Sequence, residues 1–165
     1  MKPAPGHSVP WTTDAGQLAI RVMLGVVFLY HGGQKLFGWF GGSGLAATGE
    51  FMAGMGIPLP ELSAFLAGAA EFAGGLAVLL GIGVRLAVVP MVFTMLVASF
   101  VVHGQAFGLR NGGMEYALTL AVVLTGLGLT GPGRWTLPAL IRCRRPGVPP
   151  TQRPEQPAPA PTADA

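Results

Sequence analysis

Hydrophobic positions in this chain fall into four long, nearly uninterrupted runs rather than the one-sided stripes of a soluble helix, and they cover residues 18–37, 62–82, 86–107 and 115–129. A helix needs roughly 20 apolar residues to cross the hydrocarbon core of a bilayer, which the first three runs supply. The last is short and is expected to continue towards Arg110 or Leu137. The pattern predicts an all-α, integral membrane four-helix bundle.

The connecting segments agree with this reading. GWFGGSGLAATGEFMAGMGIPLPE, between the first two runs, carries glycines and prolines that break regular structure, while Phe51, Met52 and Met55 allow part of it to lie as a short interfacial helix. Gly83-Val84-Arg85 joins the second and third runs in a tight antiparallel hairpin. Asn111-Gly112-Gly113 turns the third into the fourth, Gly131-Pro132-Gly133 ends the fourth, and Trp135 sits where an interfacial aromatic is expected. The expected organisation is a polar segment 1–17, a transmembrane domain 18–141, and a basic, then Pro/Ala-rich tail 142–165 with nothing to bury and hence disordered.

Composition sharpens the picture. Only 10% of residues are charged and 51% are hydrophobic, against roughly 25% charged in a soluble domain, so lipid is expected to cover much of the surface. The basic balance comes largely from Arg142, Arg144 and Arg145, without aromatic interleaving or a recognition motif. A juxtamembrane orientation signal explains them better than nucleic acid, which is excluded as a partner. The lone Cys143 allows neither an internal disulfide nor a CxxC redox pair. The start, Met1-Lys2-Pro3-Ala4-Pro5-Gly6, is polar, and the first apolar run is long enough to span, so no cleaved leader is expected.

With four spans, both termini share a side with Arg85. That side carries Lys2, Arg85, Arg134, Arg142, Arg144 and Arg145, and the other only Lys35 and Arg110. The positive-inside rule then places both termini in the cytoplasm of a bacterial inner-membrane protein.

Ionisable groups within spans are costly, by roughly 2.5–3.5 kcal/mol at a helix centre, and each needs a reason. Here they are Arg21, His31, Lys35, Glu71, His103 and Glu115. Glu71, in GAAEFAGG, is too deep to reach water and is expected to be protonated or paired with a cation from a neighbouring helix, which Gly68, Ala69, Ala70, Gly74 and Gly75 would let approach closely. His31 and Lys35 are one turn apart, and Arg21 lies on nearly the same face, so one stripe of the first helix is expected to face Glu71. Arg21 has an alternative in snorkelling to lipid phosphates. Antiparallel alternation puts His31, Lys35, His103 and Glu115 towards the outer side above Glu71, an intramembrane polar cluster suited to a quinone or to protons. The same groups could instead be hydrogen bonds that only hold helices together. Paired histidines can hold haem, but the spacing of His31 and His103 is not diagnostic, and no metal site is expected. HGGQKLFGWFGGSG lacks the GK[ST] ending of a phosphate loop.

HGGQKLFGWFGGSG, then Gly56-Ile57-Pro58, AAEFAGGLAVLLGIGVR, the His103 region, and GGMEYALTL leading to Gly131-Pro132-Gly133 together resemble the DoxX family of small bacterial inner-membrane proteins, over about residues 20–137. The order and spacing carry the likeness, through His31, Gly32, Lys35, Gly38, Glu71, Gly74, Gly75, Arg85, His103 and Glu115. The resemblance implies a redox-associated membrane subunit: the namesakes are similar to the membrane subunit of an archaeal thiosulfate–quinone oxidoreductase, and some relatives are linked to oxidative-stress complexes. That oxidoreductase works with a second subunit, for which this chain shows no substitute domain, so a protein partner or homo-oligomer is expected. No self-sufficient catalytic motif is seen. A scaffold that docks a partner protein is the alternative, and a small-solute transporter is a weaker one because no inverted repeat is evident.

Overall fold

A computed structural model describes residues 11–143 of the chain. Among them there is no strand; the helices are α1 (Trp11–Phe37), α2 (Gly44–Gly54), α3 (Pro60–Leu80), α4 (Val84–Val97), α5 (Glu115–Thr130) and α6 (Leu137–Cys143). The tail expected from residue 142 lies outside the described residues except for Arg142 and Cys143, which close α6. Four long helices, α1, α3, α4 and α5, pack antiparallel in chain order, and α2 is the short helix expected between the first two.

The sequence sets the boundaries through proline and glycine. Proline opens α3, where its missing N–H is no loss. The same helix ends on Gly81 at φ 73, with the N–H of Ile82 donating back to the carbonyl of Ala77 and that of Gly81 to Val78. Gly83 then opens α4 directly, giving the tight hairpin expected there. In three places the sequence reading is corrected: α1 begins at Trp11, inside the segment 1–17 set apart from the first span, α5 stays within Glu115–Thr130 instead of continuing towards Arg110 or Leu137, and the third run ends early. The third run was expected to stay helical to Phe107, but α4 loosens into a π turn over Ala98–Val102 and stops. The N–H of His103 donates to the carbonyl of Ala98, five residues back. The chain beyond has another use: the carbonyls of Ala106 and Phe107 accept from the N–H groups of Met114 and Glu115, which would otherwise be open donors at the start of α5.

Close packing of α1 on α3 depends on glycines spaced seven apart on each helix, Gly25 and Gly32 on one, Gly68 and Gly75 on the other. A Cβ on Gly32 would fall 2.5 Å from the backbone nitrogen of Phe72, and one on Gly75 would fall 2.9 Å from that of Leu29. The two backbones touch, as small-residue seams allow in membranes. Gly74 leaves room for Met91 of α4, and Gly128 of α5 for Val88. The buried side chains Leu24, Phe28, Val78, Val88, Met91 and Leu124 fill the centre. Outside, large apolar side chains face outward on the helices, Leu86 at 80% exposure and Leu129 at 77% among them, as lipid contact requires.

Among the described residues, three stretches are long and apolar enough to span: Trp11–Phe37, Pro60–Leu80, and Val84–Val102 with its π turn included. Helix α5 has 16 residues, about 24 Å at 1.5 Å per residue, short of a ~30 Å core. In the irregular chain after it Gly131 and Thr136 are buried, and Arg21 supplies donors to the carbonyls of Pro132 and Trp135. Non-helical backbone at membrane depth is tolerated only with such internal partners. Nearby, the Asp14 carboxylate accepts from the backbone N–H of Arg134 at 2.8 Å and from its Nε at 2.6 Å, which ties the early turns of α1 to the same segment.

The glycine seam makes a direct prediction. Gly32→Ala must force α1 and α3 apart and should destabilise the bundle by about 1–3 kcal/mol. Gly126→Ala, where an added Cβ meets nothing within 4 Å, should be neutral or stabilising by up to about 1 kcal/mol. Thermal unfolding of both variants in one detergent checks the contrast.

Candidate functional site

The position of the site follows from an offset between the first two long helices. Leu36, at the end of α1, packs at Gly68, which is the ninth residue of α3. Helix α3 therefore runs about 12 Å past the end of α1. Helix α2 fills that space, held partly by the buried Thr48, whose hydroxyl donates to the carbonyl of Gly44 at 2.7 Å and lies 3.5 Å from that of Lys35. The offset lowers the C-terminal turns of α1 towards the middle of the bundle. Lys35, expected near the outer boundary, is thereby brought level with Glu71.

There the two side chains meet. The Lys35 ammonium donates to Glu71 Oε2 at 2.5 Å. Glu71 is almost fully buried, with 1% of its side chain exposed, while Lys35 keeps 30%. The pairing answers the main difficulty of the sequence, a carboxylate deep in an apolar helix. It answers only half of it. Glu71 Oε1 is buried and has no hydrogen-bond partner, and among the described residues it is the one such side-chain atom.

The pair lies in the wall of a cavity of about 930 Å³ between α1, α2, α3, α4 and α5, a volume in the usual range for small-molecule sites. His31, Lys35, Glu71, His103 and Tyr116 supply its polar lining together with Thr48, Ser63 and Thr94, whose hydroxyls bond backbone carbonyls, and the rest is apolar. Phe51, Leu66, Phe93 and Val101 line it and are also exposed on the outside of the bundle. The cavity thus has a polar end and an apolar mouth on the lipid-facing surface.

Beyond the six candidates, Tyr116 joins the polar end, and aromatic rings pack about His31. Tyr116 packs with its ring 6.3 Å from that of His31. On the other side of His31 stands Tyr30, its ring edge-on at 5.4 Å. Phe40 stacks on Tyr30 at 5.0 Å and holds a left-handed backbone, φ 56, unusual for a bulky residue. Tyr116 was detectable in principle as a hydroxyl-bearing residue four before Leu120, which lines the same cavity.

His103 lines the cavity from the end of the π turn, and its Nδ1 is 2.8 Å from the carbonyl of Gly112. A carbonyl only accepts, so Nδ1 carries the proton, and in the neutral ring Nε2 is an acceptor.

Two of the six candidates lie elsewhere. Arg21 was placed on the stripe facing Glu71, but fourteen residues separate it from Lys35, about 21 Å of helix. It neither joins the cluster nor snorkels. Fully buried, it donates from Nε to the carbonyl of Val78, from Nη2 to Leu79, and from Nη1 to Pro132 and Trp135. It satisfies the end of α3 and the segment after α5. Glu115 is exposed and outside the cavity wall, its Oε2 accepting from the backbone N–H of Leu109 at 3.0 Å. Neither helix angle nor position along the chain says which way a long side chain extends. Among the described residues, no three His, Cys, Asp or Glu side chains come together as a metal site would need.

The family model described as DoxX matches residues 16–104, which include most of α1, all of α2, α3 and α4, and the cavity residues His31, Lys35, Glu71 and His103. The chain belongs to the DoxX family. It is 30% identical to "Putative oxidoreductase CatD" of Bacillus subtilis (strain 168), over 72% of this chain and 81% of that one. It is 32% identical to "Inner membrane protein YqjF" of Escherichia coli (strain K12), over 78% of this chain and 93% of that one. To "Uncharacterized membrane protein Rv3486" of Mycobacterium tuberculosis (strain ATCC 25618 / H37Rv) it is 34% identical, over 73% and 77%. No solved structure matches. This DoxX chain is accordingly a membrane protein, as its apolar helices also require.

If the ion pair keeps Glu71 tolerable in the bilayer, removing one partner should hurt more than removing both. Lys35→Leu should destabilise by on the order of 3 kcal/mol, at the low end for buried pairs because Lys35 is 30% exposed. Lys35→Leu with Glu71→Leu should recover most of that loss. Thermal unfolding of the two single variants and the double variant measures the coupling.

Proposed function

We propose that the chain is a redox-associated subunit of a bacterial inner membrane that holds a quinone headgroup in the cavity around Lys35 and Glu71. The observation that carries this reading is the form of the cavity: a buried ion pair with one unpartnered carboxylate oxygen at one end, and an apolar mouth among lipid-facing side chains at the other. A planar headgroup with oxygens at its ends and a long apolar tail matches that division. The tail would leave past Leu66 and Phe93 without crossing polar surface. A quinone bound there would supply two-electron, two-proton redox chemistry.

The residues have distinct tasks in this account. Lys35 offers the remaining N–H groups of its ammonium to a carbonyl oxygen, and Glu71 exchanges protons with the bound group. His31 and Tyr116 form an aromatic edge against which a flat ring can lie. His103 supplies a second polar contact across the cavity. The oxidoreductase name of the Bacillus subtilis relative agrees with a redox role, and the name of the Escherichia coli relative agrees with an inner-membrane location.

Orientation follows from charge. Arg85, Arg134 and Arg142 lie at the end of the bundle where α3 turns into α4 and α6 packs, and Lys35 and Arg110 lie towards the other end. With the basic end inside, both termini are cytoplasmic and the polar end of the cavity is in the outer half of the membrane. The four-helix unit over residues 18–141 forms the functional domain, and a protein partner or a second copy completes any electron path.

Purified protein in nanodiscs should bind a short-chain ubiquinone or menaquinone analogue, and Lys35→Met or His31→Ala should weaken binding by about tenfold, as loss of a polar or ring contact implies. Unchanged affinity in both variants would remove the cavity from the account. No binding to the unaltered protein would favour a bundle that only docks a partner.

A further inference from the structure

The hydrogen-bonding capacity that the protein leaves unused at the polar end of the cavity includes two acceptors. Glu71 Oε1 is an acceptor, buried and unpartnered. His103 gives its Nδ1–H to the carbonyl of Gly112, which leaves Nε2 of the neutral ring as a second acceptor. Donors are the Lys35 ammonium, which has N–H groups beyond the one directed at Oε2, the Tyr116 hydroxyl and a His31 ring nitrogen, none of which bonds Oε1. A quinone carbonyl can only accept. It would engage Lys35 and leave Oε1 as it is, a buried acceptor without a donor, which is among the more costly arrangements in an apolar interior. A hydroxyl both accepts and donates. Placed beside the ion pair, it takes an N–H from Lys35 and gives its own hydrogen to Oε1.

We propose that Glu71 Oε1 makes the cavity selective for the reduced, hydroquinone form of its ligand over the oxidised quinone. The inference rests on the quinone-binding reading above and adds the oxidation state that the site prefers. It concerns binding only. The apolar mouth beside Leu66 and Phe93 treats both forms alike, since the tail does not change with oxidation state. Selection is therefore assigned to the headgroup contacts. A charge-assisted hydrogen bond from a hydroxyl to a carboxylate is stronger than a neutral one, and its gain should appear as a tenfold or larger difference in affinity.

The test uses the full chain in nanodiscs under anaerobic conditions and needs no variant for its first arm. Dissociation constants are measured for a short-chain ubiquinone analogue, its hydroquinone, and the hydroquinone dimethyl ether, which keeps the ring but has no O–H. The expected order is hydroquinone tightest, by about tenfold or more, with quinone and dimethyl ether weaker and similar. Quinone binding as tightly as hydroquinone, or tighter, overturns the inference while leaving the quinone site standing. Failure of all three to bind overturns both. In a second arm, Glu71→Gln replaces the carboxylate with a neutral amide and should shrink the hydroquinone preference. A full preference retained in that variant, once circular dichroism shows it folded, would overturn the assignment to Oε1.

Discussion

The arrangement depends on one contact, the Lys35 ammonium against Glu71 Oε2. A carboxylate eleven residues into a spanning helix is expensive unless something neutralises it, and the bundle is built so that a cation arrives at that depth. Several otherwise unrelated features become consequences of this requirement. Glycines at Gly25, Gly32, Gly68 and Gly75 let α1 and α3 lie backbone to backbone, which brings the two side chains within reach. The end of α1 stops short of the end of α3, so that Lys35 lies level with Glu71 instead of at the surface. Helix α2 then covers the space that the shorter reach of α1 would leave open.

The far end of the bundle solves a different problem with the same economy of polar groups. Helix α5 is too short to span alone, and the chain after it is irregular where lipid would otherwise be. Arg21 meets that need by donating to four carbonyls at once, which a guanidinium with its fixed set of donors can do and an ammonium cannot do as well. Asp14 holds the Arg134 segment in place beside it. The cations of α1 are thus divided by task. Lys35 serves the cavity, and Arg21 serves the backbone.

Much of this was visible in the amino-acid pattern. The four apolar runs gave the bundle, and the turn at Gly83, the short helix containing Phe51 and Met52, and the small-residue face around Glu71 all appear where the residues implied them. That Glu71 needs a cation from α1 was a matter of energy, and the geometry supplies Lys35. What the pattern could not hold was side-chain direction and interhelical offset. Arg21 shares a face with Lys35 in projection, but a shared face says nothing about contact across fourteen residues of helix. Glu115 opens the same helix, yet one residue of rotation gives its place in the cavity to Tyr116. The early end of α4 was hidden because GQAFG is apolar enough to continue a span; only the carbonyls of Ala106 and Phe107, taken by α5, show why it stops.

Lys2 and Lys35 are the chain's two lysines, which makes the central contact directly observable. Protein labelled with 15N at lysine and 13C at glutamate side chains, reconstituted in lipid bilayers, can be examined by solid-state magnetic resonance for dipolar coupling between a lysine Nζ and a glutamate carboxyl carbon. The account predicts a coupled pair within roughly 4 Å, the ion-pair range, that disappears in Lys35→Met. A Glu71 carboxyl carbon with no coupling to any lysine nitrogen would contradict it.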